Sequence, residues 1–170
     1  MIRPLVYYPS QLLREISKPV NLIKDADLLK QLVPDMIDTM YHYNGVGLSA
    51  IQVGIPIRLF VAQTNFTKSE GVYINPVITQ YSKETVTTKE GCLSLPGISE
   101  MTTRSRHIRG SYLDRDLNLI EFDSVYGWSP LAIQCFQHEY DHLDGKMFVD
   151  GLSATKKMII KRAMKKVSSR

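Results

Sequence analysis

Residues 138–142 read His-Glu-Tyr-Asp-His. On a helix, two histidines at i and i+4 project one turn apart from one face. Both imidazoles can then grip a single metal ion, with a glutamate between them placed to carry protons. A zinc-type catalytic site keeps one vertex open and takes three protein ligands, so a third ligand must come from elsewhere. Downstream, Gly145 suits the extension H-E-x-x-H-x-x-G-x-x-H, but its last position is Phe148, which cannot bind metal. No glutamate follows His142. Asp144 lies at i+2 and points off the face, and Asp150 stays open as a ligand but follows only a short connector.

The third ligand is therefore expected upstream, where Cys92 stands out in "KEGCLSLPG" (89–97). A thiolate flanked by glycine and a Leu-Ser-Leu-Pro turn, at the end of a β run, is a good soft ligand for a first-row divalent ion. His42 and His107 are rivals, one at a tyrosine-rich helix end and one in a basic strand, neither in a glycine-flanked setting. The bland alternative for a lone cysteine is a small buried hydrophobe. That reading fits Cys135, one turn before His138. An amphipathic helix with no metal is the plain alternative for the whole motif. Imidazoles on the same face as Leu131 and Cys135 weigh against it, because polar groups in an apolar setting need partners.

The elements around these residues are legible. In "SPLAIQCFQHEYDHLDG" Ser129 suits an N-cap, Pro130 the first helical position and Gly145 the stop, which predicts a helix of about 15 residues. Over 25–44, Leu29, Leu32, Val33, Met36, Met40 and Tyr43 recur at helical spacing, with Asp25 or Asp27 as cap and Asn44-Gly45 as stop. Pro34 is awkward there and predicts a kink, or a helix that begins near Val33. Strands are expected at 57–63, 72–81, 84–90, 107–113 and 117–123, with a hairpin turn at 114–116. A last amphipathic helix from Ser153 would bury Ile159, Ile160, Ala163, Met164 and Val167. The expected fold is α+β: antiparallel β-sheets packed around a central H-E-x-x-H helix, with an N-terminal helix and a basic C-terminal helix (153–170).

Bulk properties narrow the class. A chain of 170 residues, 44% hydrophobic and 22% charged, suits one soluble domain with a real core. Two cysteines without a C-x-x-C pair speak against a disulfide framework or a four-cysteine zinc site. No apolar run suggests a signal peptide or a membrane span, so a cytoplasmic setting is the expectation. The net charge of +4 is uneven. Seven basic and no acidic residues lie from Ser153 onward, while the rest is slightly acidic.

Three motifs, "GVGLSAIQ" (45–52), "EGCLSLP" (90–96) and "QHEYDHLDG" (137–145), stand in an order and at separations that resemble the peptide deformylase family. The resemblance runs over about 150 residues, from "YYPSQLLREISKPV" to the H-E-x-x-H helix. It implies Cys92, His138 and His142 as metal ligands and Glu139 as general base and acid. It implies Gln52 and the Leu93 backbone N–H as oxyanion donors, Gly47 as a backbone contact for an extended peptide, and Val46, Leu131 and Cys135 near the pocket for a methionine side chain. The implied reaction removes the formyl group from the N-terminal methionine of new polypeptides and releases formate, with a metal-activated water as nucleophile. The implied ion is iron(II), with zinc, nickel or cobalt as substitutes. A monomer is expected, and the basic helix suggests contact with a polyanion, here the ribosome.

Two departures stand out: Ser49 where the family most often has alanine, and a short segment at "TNFTKSEGVYINP" (64–76). Read from residue type alone, Gln52 is a surface or capping glutamine. "GVGLSA" also fits a dinucleotide fingerprint, but it follows a helix rather than a strand. Two rival functions are an endopeptidase of another H-E-x-x-H class, which lacks its downstream ligand here, and a non-catalytic metal-binding module, which would have no need of Glu139.

Overall fold

The computed structural model describes residues 1–63 and 70–165. The elements in chain order are α1 (Ala26–His42), β1 (Gly47–Ser49), β2 (Leu59–Gln63), β3 (Glu70–Tyr81), β4 (Thr85–Gly91), β5 (Ser99–Ser105), β6 (Ile108–Leu113), β7 (Leu119–Asp123), α2 (Pro130–Leu143) and α3 (Ala154–Lys165). Short 3-10 turns occupy Gln11–Arg14, Ala50–Val53 and Phe148–Gly151. All named strand pairs are antiparallel. They form a five-stranded sheet of order β1-β2-β3-β6-β7 and a separate β4-β5 ribbon.

The sheet is covered on both faces, which explains why β2 reads as an unbroken apolar run rather than an alternating one. Successive side chains point to opposite faces. Leu59 and Val61 of β2, with Val72 and Ile74 of β3, meet Leu29, Leu32, Val33, Met36 and Met40 of α1. The residues between them, Phe60, Ala62 and Tyr73, meet Ile133, Cys135, Phe136 and Leu143 of α2. A third cluster joins Leu13 and Leu95 to Met147, Phe148 and Val149 and to Ile160 and Met164 of α3.

Several expectations change in detail. α1 runs unbroken through Pro34 rather than starting near Val33. Pro34 is exposed, so the carbonyl it leaves without an intrahelical donor, that of Lys30, is on the outer side where water can serve it. Asp25 holds the cap position, yet its carboxylate accepts from the Asn21 amide (2.8 Å) instead of from the helix. The turn after β6 is longer than 114–116. Asp114 accepts from the amides of Asp116 and Asn118, both at 2.9 Å, and Leu117 adopts φ 64°. On α3 the apolar stripe narrows to Ile160 and Met164, while Ile159 is 59% exposed. Residues 64–69 of the short segment, and Val167 with the end of the basic tail, lie outside the described residues. β1 and β5 are the strands the sequence pattern did not reveal.

Arg14 and Asp150 clamp the N-terminal segment to the turn before α3. Their ion pair is 2.7 Å long, and the same carboxylate accepts from the Met147 amide at 2.8 Å. Partial burial pushes the Asp150 carboxyl up, but the Arg14 guanidinium and the Met147 N–H more than offset it and hold it below its ordinary 3.8. The charged form is thus favoured in the folded state. Asp150→Ala is expected to cost about 1 kcal/mol at neutral pH, the pair being partly solvated. Because the depressed pKa belongs to the folded state, that cost is full above pH 3.8 and fades as pH falls through the folded value. Urea denaturation of both proteins between pH 7 and pH 3 measures it.

Candidate metal centre

α2 begins as the sequence predicts. The Ser129 hydroxyl accepts from the Ala132 amide (3.1 Å), Pro130 occupies the first turn, and Gly145 closes the end at φ 68°. One side of the helix is spent on the sheet through Ile133 and Phe136. His138 and His142 leave from another side, their ring centroids 4.9 Å apart. Cys92 follows directly on β4, and the Leu95 amide bonds its carbonyl (2.9 Å) in a tight turn. That turn carries the sulfur onto α2. Cys92 Sγ lies 3.2 Å from His142 Nε2, and the ligand atoms of Cys92, His138 and His142 all lie within 4.8 Å of one another.

Tetrahedral coordination, with sulfur at ~2.3 Å and nitrogen at ~2.0 Å, sets such atoms roughly 3.3–3.6 Å apart. One thiolate and two imidazoles on this spacing fit a divalent ion of borderline softness. Asp150 and Asp144 are engaged with Arg14 and Arg58, and His42 packs edge-on to Tyr43. His107 stands at the head of β6 with a buried, unpartnered Nδ1, and the metal-competent group excludes it.

What holds His138 in place was not visible in the sequence. Its Nδ1 meets Glu90 Oε1 in a very short contact, which directs Nε2 toward the other ligands. Glu90, on β4, is 5% exposed. Its carboxylate also accepts from Arg104 Nε (2.8 Å) and Nη2 (2.6 Å) and from Thr102 Oγ1 (2.6 Å). Both partners stand on β5. Arg104 in addition reaches Asp141 (2.8 Å), the residue before His142. The Glu90 carboxyl is held far below the usual carboxylate range: burial opposes this, and Arg104 and His138 overcome it. Burial would lower the His138 pKa, but the Cys92 thiol and Glu90 raise it well above the ordinary value. His142 is driven the other way by burial, with His138 and Arg104 adding to it.

A cavity of about 490 Å³ opens onto this cluster. Its walls include Val46, Gly47, Cys92, Leu93, Leu131, Cys135, His138 and Glu139. Cys135 is buried, donates to the Val46 carbonyl (3.5 Å) and has its thiol pushed well up by burial, as suits an inert wall residue. A Cβ on Gly47 would lie 2.5 Å from Glu139 Oε1 and 2.6 Å from Cys135 Sγ, so only glycine lets β1 approach α2 this closely. Gln52 is not a surface residue, but the capping alternative holds: as the third residue of the Ala50–Val53 turn it belongs to the capping box at the start of that turn. It is 1% exposed, its Oε1 accepts from the Ser49 amide (2.8 Å), and its Nε2 reaches Ser94 Oγ (3.1 Å) and Cys92 Sγ (3.3 Å). Glu139 is buried, which raises its carboxyl above the ordinary range against the lowering pull of His138 and Ser49.

Known proteins match this chain along most of its length. The family model described as polypeptide deformylase matches residues 2–158. The chain belongs to the peptide deformylase family. Members are metal-dependent hydrolases that remove the N-formyl group from nascent peptides, and this chain has that enzymatic class. A peptide deformylase of Bartonella henselae is 41% identical over 168 residues, covering 97% of this chain and 92% of the relative. The crystal structure of a peptide deformylase from Legionella pneumophila superposes with a TM-score of 0.87 at 37% identity, covering 100% of this chain and 99% of that one. A peptide deformylase from Ehrlichia chaffeensis in complex with actinonin gives 0.87 at 34% identity, covering 97% and 96%. The α+β fold and its three helices agree with these structures.

Removing Arg104 leaves Glu90 as a buried, poorly compensated charge beside His138. Arg104→Met is therefore expected to destabilise the metal-free protein by about 3–5 kcal/mol and to weaken metal affinity about 10- to 100-fold. Denaturant titration reads the first, and competition with a chromogenic chelator reads the second.

Proposed function

We propose that Cys92, His138 and His142 hold one divalent ion and that Glu139 carries the proton in hydrolysis of the N-formyl amide. The observation that supports this best is the convergence of a thiol and two imidazoles within 4.8 Å, from the segment after β4 and from α2, with Cys92, His138 and the buried Glu139 carboxyl lining one cavity. When bound, the ion supplies Lewis-acid polarisation of the formyl group and acidifies a water. Glu139 accepts a proton from the attacking water as the new C–O bond forms, then delivers it to the departing amine nitrogen as the C–N bond breaks. Its raised pKa suits a group that must hold that proton and then release it.

The developing oxyanion is met by Gln52 Nε2 and the Leu93 backbone N–H. Of the two Gln52 donor contacts, the longer one to Cys92 sulfur is the one free to turn toward an oxygen. Val46 and Gly47 line the cavity beside the Glu139 carboxylate and suit the backbone of an extended peptide. Leu131 and the inert Cys135 give the wall an apolar surface for a methionine side chain. An Acinetobacter baumannii peptide deformylase in the Met-Ala-Ser-bound state, 29% identical with a TM-score of 0.79 over 88% of this chain, supports the same class of ligand here. We read the ion as iron(II) in its native setting, and the chain as a single catalytic domain acting as a monomer in the cytoplasm. No described helix is long and apolar enough to cross a membrane.

Metal-loaded protein is expected to release formate from formyl-Met-Ala-Ser and to leave unformylated peptides uncut. Glu139→Gln should lower kcat about 10²- to 10⁴-fold while retaining metal, whereas Cys92→Ala should lose the metal. Anaerobic metal analysis beside the formate assay reads both, and iron should dominate in protein kept from air. Cleavage of unformylated chains would overturn the reading.

The basic helix α3 suits contact with ribosomal RNA. Lys161, Arg162 and Lys165 are exposed, and α3 docks by Ile160 and Met164. Replacing those three basic residues by glutamine keeps the docking residues. It is expected to weaken ribosome cosedimentation and to lower the slope of log affinity against log salt by roughly two to three.

A further inference from the structure

Ser49 is fully buried on β1 and is not part of the cavity wall, whereas Glu139 is. Strand pairing with Phe60 fixes its backbone. Its hydroxyl donates to Glu139 Oε2 at 2.7 Å and stands 3.0 Å from the Glu139 carbonyl. Its amide donates to Gln52 Oε1 at 2.8 Å. One residue thus touches both polar side chains assigned to the reaction, from behind. Any amino acid except proline would supply the amide. The hydroxyl is what this chain adds.

We propose that Ser49 is a positioning residue of the reaction: its hydroxyl holds Oε2 of Glu139 and leaves Oε1, beside Gly47, facing the cavity for proton transfer. The Oε1 side is set by the same contact that makes Gly47 obligatory, since a Cβ there would lie 2.5 Å from this oxygen. A carboxyl group anchored at one oxygen loses the freedom to swing its other oxygen away from the reacting atoms. The hydroxyl also has two acceptors for one hydrogen. It can donate to Oε2, or accept a proton-bearing Oε2 and turn its own hydrogen to the Glu139 carbonyl. The contact therefore persists on either side of the transfer. The inference rests on the assignment of Glu139 as proton carrier.

Ser49→Ala, Glu139→Gln and the double variant, each metal-loaded, separate the two claims in the formate assay. Ser49→Ala is expected to lower kcat about 3- to 30-fold, with KM changed less than about twofold and metal content unchanged. In the Glu139→Gln background the same serine change should lower the residual kcat no further. Ser49→Cys keeps the volume with a weaker donor and should show an intermediate loss; it carries the test if the alanine variant does not fold. Full kcat in Ser49→Ala beside a disabled Glu139→Gln sinks the role of Ser49 alone. Equal losses in both backgrounds mark a merely structural serine and also sink it. Full kcat in Glu139→Gln sinks the proton-carrier assignment itself. A structure of Ser49→Ala gives a readout apart from turnover: Glu139 is expected to leave its rotamer, and an unmoved carboxylate overturns the proposal.

Discussion

A buried carboxylate, Glu90, ties α2 to the β4-β5 ribbon. Taking an ion out of water costs several kcal/mol, which is repaid only when its lone pairs are met by charge and hydrogen bonds. Glu90 meets that condition with Arg104, Thr102 and His138. The β4-β5 ribbon shares no hydrogen-bonded strand with the large sheet. It continues from β3 and β6 through the backbone bonds from Ser82 N–H to the His107 carbonyl (2.9 Å) and from Arg106 N–H to the Glu84 carbonyl (2.8 Å). The Glu90 network, with the bond from Gln137 Nε2 to the Ser105 carbonyl (2.9 Å), fastens it to α2. Cys92, one residue past β4, is carried by the ribbon.

α2 serves two environments at once. Phe136 packs at the centre of an aromatic group with Phe60, Tyr73, Phe122 and Trp128, with ring centroids 5.0–5.5 Å apart. These contacts fix the rotation of the helix about its axis. His138, Glu139 and His142 then project where the helix meets β1 and the segment after β4, and their aim follows from apolar packing on the far side. Rigid support of this kind suits the role proposed for Glu139, because small displacements of a reacting group cost rate steeply.

The cavity is shaped by close approach as much as by side chains. Gly47 lets β1 lie against Glu139 and Cys135, and the three-residue strand delivers Gln52 in the turn that follows it. Gln52 is held at its oxygen by Ser49 and at its nitrogen by Ser94 and Cys92. β1, the Cys92 turn and α2 come from three distant parts of the chain and meet at one cavity, where Gly47, Cys92, His138 and Glu139 share the lining.

Much of this was legible from local pattern. The i, i+4 histidines and the Ser-Pro start and Gly stop of α2 are consequences of helix geometry within a few residues. So are the apolar period of α1 and the short apolar run of β2. Residue type alone left Cys92 open against other ligands, and the three-motif resemblance chose it. Tertiary structure alone decided the rest. β5 reads "SEMTTRS", without an apolar face, because its work is to supply Thr102 and Arg104 to a partner strand. Glu90 and Arg104 look like surface polar residues, and Gln52 like a surface or capping glutamine, until strand register and helix packing bring their partners in. The partner of the Ser49 hydroxyl, Glu139, likewise emerges only from packing. Pro34 passes through α1 because its face is exposed. Spacing along a chain encodes what one element presents. Which buried charge meets which partner is set by contacts between elements far apart in sequence, whose cost and gain exist only once water has been excluded.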